Sequence, residues 1–97
     1  MRVIARGTLR DFWKRYPQAE QTLKAWFQFV SKATWTNPHD VKRDYVTASF
    51  RKDNRVCFNI GGHNFRLIVR INYSYQIIYI RFVGTHKEYD RIDGDLI

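Results

Sequence analysis

The sequence is poor in the residues that build covalent or metal-bound scaffolds. It holds one cysteine, Cys57, which excludes an internal disulfide and any cysteine cage for a metal. It holds three histidines. His39 and His63 lie far apart, with no His or Cys partner at ligand spacing, so no metal site is expected. Two prolines and five glycines leave no room for a low-complexity linker, and no segment repeats. No run approaches the ~18 apolar residues of a membrane span. Met1 to Arg6 has no apolar stretch of the kind a secretory leader carries. These absences favour the cytoplasm. There is no P-loop and no nucleophile elbow, and Gly61-Gly62-His63-Asn64 suits a hairpin turn better than a dinucleotide site. No cofactor is expected.

Acid is scarce as well. Nine Asp and Glu face seventeen Lys and Arg, for a net charge of +8 and a pI near 10.0. Four of the acids, Glu88, Asp90, Asp93 and Asp95, fall in the last ten residues, which leaves residues 1–87 at +11. A basic body of this kind implies a polyanionic partner, nucleic acid above all. Asp90, Asp93 and Asp95 lack the glycine-centred pattern of a calcium loop and read as a solvated acidic tail.

A chain of 97 residues with sixteen aromatics can close one compact core, so residues 1–97 are expected to form a single domain. Arg2 to Ala5 reads as an edge strand. Thr8-Leu9-Arg10-Asp11 reads as a capped helix start. Leu9, Phe12, Trp13 and Tyr16 then share one helical face, Pro17 ends that helix, and Ala19, Leu23, Trp26, Phe27 and Val30 stripe a second helix over residues 18–33. Asn37-Pro38 predicts a short third helix to Tyr45.

From Arg55 the period changes to two. Val56, Phe58 and Ile60 alternate with polar or small residues, and Asp53-Asn54 and Gly61-Gly62 mark turns. Phe65, Leu67, Val69 and Ile71 form the next strand, and residues 76–84 the last. The predicted class is α+β, a helical hairpin packed on an antiparallel β-meander. If Phe65, Leu67, Val69 and Ile71 face the helices, Arg66 and Arg70 face away. In the last strand Ile78, Ile80 and Phe82 would face the helices, leaving Tyr79 and Arg81 on the open face. Asn59 joins them from the preceding strand. The opposite phase would bury unpaired guanidinium groups at high cost.

The segment Gly84-Thr85-His86-Lys87-Glu88-Tyr89-Asp90 leaves the end of that strand. It can fold His86 and Tyr89 over the arginine face, with Lys87 as an added cation. Imidazole exchanges a proton near neutral pH, and a phenol can do so where cations lower its pKa. Arginine forks suit phosphate oxygens and a charged phosphorane. The set fits metal-free RNA cleavage by a 2′-hydroxyl. It also fits a solvated turn.

FNIGGHNFRLIV (58–69), IYIRFVGTHKEYDRID (78–93) and RDFWKRYPQAEQTLKAWF (10–27) resemble the HigB-type toxins of bacterial toxin–antitoxin pairs, a branch of the RelE/ParE superfamily. The resemblance spans nearly the whole chain. It implies a small RelE-like fold, an mRNA interferase acting at the ribosome, and silencing by a HigA-type helix-turn-helix antitoxin. It maps the family's basic cleft onto Arg66, Arg70 and Arg81 and its His-x-x-Tyr motif onto His86 and Tyr89, so that His86, Tyr89 and Arg81 are the expected catalytic residues and Arg66 and Arg70 RNA contacts; Asn59 and Tyr79 are added from the strand phase and Lys87 from the segment after the last strand. The alternatives are a non-catalytic inhibitor on the same scaffold, as the ParE branch poisons gyrase, and a basic RNA-binding module. With Arg70 and Arg81 facing outward, Arg70→Ala and Arg81→Ala should each remove a phosphate contact worth about 1.5–3 kcal/mol while keeping a cooperative fold. A collapsed melting temperature in either variant would show that the strand phase is wrong.

Overall fold

The computed structural model describes residues 1–62 and 64–97; His63, expected in the Gly61-Gly62 turn, lies outside the described residues. The elements run β1 (Arg2–Ile4), α1 (Arg6–Arg15), a 3-10 turn (Pro17–Ala19), α2 (Glu20–Lys32), α3 (Pro38–Asp44), β2 (Ser49–Arg51), β3 (Arg55–Ile60), β4 (Phe65–Asn72), β5 (Ile77–Thr85) and α4 (His86–Tyr89). The sheet order is β1-β5-β4-β3-β2. β2 to β5 form the antiparallel meander, and β1 adds a parallel strand against Ile77, Ile78 and Tyr79. The α+β class, the helical hairpin and the edge strand are as the sequence implies. No described helix is long and apolar enough to cross a membrane.

The helical stripes meet the sheet as their spacing requires. Leu9, Phe12 and Trp13 of α1 and Leu23, Trp26 and Val30 of α2 are buried. They pack against Val56, Phe58, Ile60, Leu67, Val69 and Ile71. Phe58 is an aromatic hub, with Trp26 at 5.5 Å, Tyr45 at 5.2 Å and Trp35 at 6.3 Å between ring centroids. Aromatic pairs of this kind contribute about 0.5–1.5 kcal/mol each beyond the area they bury.

Caps differ from expectation at one place. Asn37 caps α3 by accepting from the Asp40 amide at 3.0 Å, with Pro38 in the first turn. The Thr8–Asp11 box does not form. β1 ends at Ile4 and the chain enters α1 at Arg6, so Thr8 is already inside the helix, and Ala5 caps it without a side-chain bond. The capping box of this protein is at the other end of the chain. Thr85 Oγ1 accepts from the Glu88 amide at 3.1 Å, and Glu88 accepts from the Thr85 amide at 2.9 Å. That pair of bonds starts α4 directly at the end of β5.

β5 does not keep one phase. Ile80 lies opposite Val69 and Phe82 opposite Ile68, so Arg81 is an extra residue at a β-bulge. Before the bulge Ile78 and Ile80 pack toward the helices, as expected. After it Val83, opposite Leu67, takes that side, and Phe82 moves out of the position assigned to it. The shift places buried Gly84 under the Phe82 ring. A Cβ added there would stand 2.5 Å from Phe82 Cζ and 3.2 Å from Glu88 Oε1. Gly84→Ala should therefore displace both Phe82 and the cap of α4 and lower the melting temperature, with a cost of about 1–3 kcal/mol for overpacking. An unchanged melting curve would show that this close approach is dispensable.

Candidate active site

The sheet face turned from the helices carries residues 55, 57 and 59 of β3 and residues 66, 68 and 70 of β4. Two of these, Cys57 and Ile68, are apolar and buried. The C-terminal segment covers them. A side chain built at Gly94 would reach within 3.8 Å of Ile68. Asp95 accepts from the Lys52 amide at 3.2 Å, and the Ile97 carbonyl accepts from Arg55 Nε at 2.8 Å and Arg81 Nε at 3.4 Å. The acidic tail expected in solvent is thus folded back on the basic face. Attraction between opposite charges and the exposed apolar strip beneath it both favour that position.

Arg55, only 7 % exposed, is held by the Ile97 carbonyl, by the Lys52 carbonyl at 3.3 Å and by Asp53 at 3.6 Å. Sequence reading placed it beside a turn and missed it. Its signal was the phase itself, since Asn59 on the open face puts Cys57 and Arg55 there too.

Around the tail the polar residues separate into two groups. The first lies toward the Gly61-Gly62 end, where the His86 amide bonds the Asn64 carbonyl at 3.3 Å and seats α4. Tyr89 reaches back over the sheet. Its hydroxyl accepts from Arg51 Nη2 and lies beside the Cys57 thiol. Arg66 and Arg51 approach its ring at 5.7 and 6.0 Å. The half-exposed His86 ring is 6.4 Å from that of Tyr89, and its Nδ1 is 3.4 Å from Asp90 Oδ2. Arg51, on the exposed strand β2, is the second cation the sequence reading missed. It stands directly opposite Arg55 across the Asp53-Asn54 turn, whose two residues have φ of 54° and 61°.

The second group lies at the opposite end. Arg70 faces Tyr79 across the strands. Together with Arg81 they line a cavity of about 460 Å³. Of the eight expected site residues, the structure therefore brings His86, Tyr89 and Arg66 together and sets Arg70, Tyr79 and Arg81 apart from them. Asn59 is half-buried on the same face and turns toward the Thr47 carbonyl at 3.5 Å. Lys87 is exposed on α4.

The phenol is not acidified as the sequence suggested. Burial, followed by the neighbouring thiol, raises the Tyr89 pKa above its ordinary 10.0, and Arg51 only partly opposes this. Burial likewise raises the Cys57 thiol above 9.0, against smaller opposing effects of Tyr89, Arg66 and Arg51.

A family profile described as HigB toxin, a RelE-like toxic component of a toxin–antitoxin system, matches residues 19–92. The chain belongs to the HigB toxin family. The mRNA interferase toxin HigB of Escherichia coli K12 is 33% identical over 92 residues, covering 93% of this chain and 88% of that protein. The mRNA interferase HigB of Shigella flexneri matches to the same extent. A more distant mRNA interferase HigB, from Escherichia coli O6:H1, is 20% identical over 94 residues, 95% of this chain and 91% of that protein. As the toxic member of such a pair, this protein has an antitoxin as its partner.

The raised pKa values of Cys57 and Tyr89 give a signed pH dependence. Both groups keep their protons in the fold where the unfolded chain would release them, so the stability they contribute is whole below pH 9 and is lost as pH rises through their folded values. The contribution of these two groups to the melting temperature should be level up to about pH 9 and fall beyond it. Cys57→Ala should soften that fall, and native Cys57 should react with iodoacetamide far more slowly than in denaturant. Equal alkylation rates in both states would contradict the burial.

Proposed function

We propose that this toxin is a metal-independent endoribonuclease that cleaves mRNA in the cytoplasm, on the ribosome, and is silenced by a HigA-type helix-turn-helix antitoxin. One observation carries the reading: the guanidinium groups of Arg51 and Arg66 both lie within 6.0 Å of the Tyr89 ring, one turn of α4 from His86. A binder needs the cations but has no use for a proton-transfer pair among them. The names of the curated relatives support the same activity.

His86 is the general base. Asp90 on Nδ1 favours the tautomer with that nitrogen protonated and leaves Nε2 able to accept the 2′-hydroxyl proton. The 2′-oxygen attacks phosphorus, and the bond to the 5′-oxygen breaks. Arg66 and Arg51 face the charge that builds on the phosphorane oxygens. Tyr89, protonated at neutral pH, donates to the departing 5′-oxygen. The products are a 2′,3′-cyclic phosphate and a 5′-hydroxyl, and neither step needs a metal ion.

His86→Ala should slow cleavage by ~10²–10⁴-fold, the usual worth of a positioned base. Tyr89→Phe should slow it as well while leaving the protein folded. Mapping 5′ ends on cellular mRNA after brief expression reads both effects, and chelator should not inhibit the purified protein acting on a saturating RNA substrate. Intact mRNA and unimpaired growth with soluble wild-type protein present would overturn the nuclease reading. Full activity in both variants would leave the chemistry to the arginines alone.

A further inference from the structure

The cavity at the far end of the open face has no part in the cleavage chemistry just described. Arg70 is four residues along β4 from Arg66, a separation of about 13 Å, and the covering C-terminal segment lies between the two ends. The cavity sits where the β2–β3 and β4–β5 turns meet; the Ile71 amide bonds the Asn54 carbonyl at 3.0 Å and joins them. Asn54, Arg70, Asn72, Ser74, Tyr79 and Arg81 line it.

Its chemistry is composite. Arg70 and Arg81 are both exposed, and among the described residues no hydrogen bond or ion pair holds the Arg70 guanidinium. Arg81 shares the open face with Tyr79 by alternation in β5 and stands without a register partner at the bulge. Tyr79, 37 % exposed, offers an open aromatic face. Asn72 uses its Oδ1 to accept from the Tyr75 amide at 3.0 Å, which leaves its Nδ2 as a donor, and Asn54 lines the same cavity. Two cations alone would suit any anion. Cations, an aromatic face and carboxamides in a space of about 460 Å³ suit an aromatic ring joined to a phosphate.

We infer that this cavity is a nucleotide subsite for single-stranded RNA, taking a base on Tyr79 and its phosphate on Arg70 and Arg81, away from the bond that is cut. The inference rests on the nuclease reading for its biological setting but not for its binding chemistry. An acidic peptide, such as an antitoxin segment, is the competing occupant. It would use the arginines and ignore the aromatic face and the amides.

The test is binding of adenosine and uridine 5′-monophosphates, and of a 2′-O-methyl oligonucleotide that cannot be cleaved, followed by amide chemical shifts in the full chain. Saturable shifts are expected at residues 54, 70, 72, 79 and 81. Tyr79→Leu should weaken oligonucleotide binding about ten- to hundredfold, while Tyr79→Phe, which keeps the ring, should bind as the wild type does. Lys32→Ala, on α2, controls for loss of one charge. Equal weakening by Leu and Phe, shifts confined to the His86 and Tyr89 end, or an equal response to a glutamate peptide would each overturn the subsite. Nucleotide binding retained in a protein that cleaves no RNA would sink the nuclease reading alone. Cleavage with no nucleotide binding here would sink the subsite alone.

Discussion

β5 has to bury apolar side chains under two helices along its whole length and still deliver a polar segment to the opposite face at its end. A strand of fixed phase cannot do both with this run of residues, because alternation would carry Phe82 into the helix layer and leave Val83 outside. The extra residue at Arg81 resolves the conflict. It returns an apolar residue, Val83, to the covered side opposite Leu67, and brings a glycine opposite Arg66. With no side chain at Gly84, the Phe82 ring and the Glu88 carboxylate can both close over the strand end. The helix that carries His86 and Tyr89 can then start at once.

What happens on the open face follows from that start. α4 directs the chain back across the sheet, and the C-terminal segment buries Cys57, Ile68 and Arg55. The cations of the face are thereby sorted. Arg55 is taken up by the tail's carbonyl, and Arg81 is touched by it at one edge. Arg51 and Arg66 gather at Tyr89, and Arg70 is left to the cavity beside Tyr79. The acidic segment thus lies on the basic face, held there through the Lys52 amide and its own Ile97 carbonyl. Part of the +11 carried by residues 1–87 is covered by the segment that holds four of the nine acids.

The sequence by itself determined the elements and most of their faces. Helical spacing in Leu9, Phe12 and Trp13, alternation in β3 and β4, and the turn residues at 53–54 and 61–62 are local signals, and packing had no reason to override them. The alternation also fixed which face Arg66, Arg70 and Asn59 share. Tertiary structure alone decided the rest. A bulge depends on the register of a neighbouring strand, so the split between Phe82 and Val83 could not be read from β5. The start of α1 was set by the length of β1 pairing, which overruled the Thr8 signal. The position of the tail depends on an apolar strip, and on Arg55 beside it, brought together only once β3 and β4 are paired. Two distant stretches, Arg51 and Tyr89, meet through that folding back. The proximity of His86 and Tyr89, the pair proposed for proton transfer, was legible as a motif because its residues lie three apart. The separation of Arg81 from it was not, because it rests on what lies across the face of the sheet.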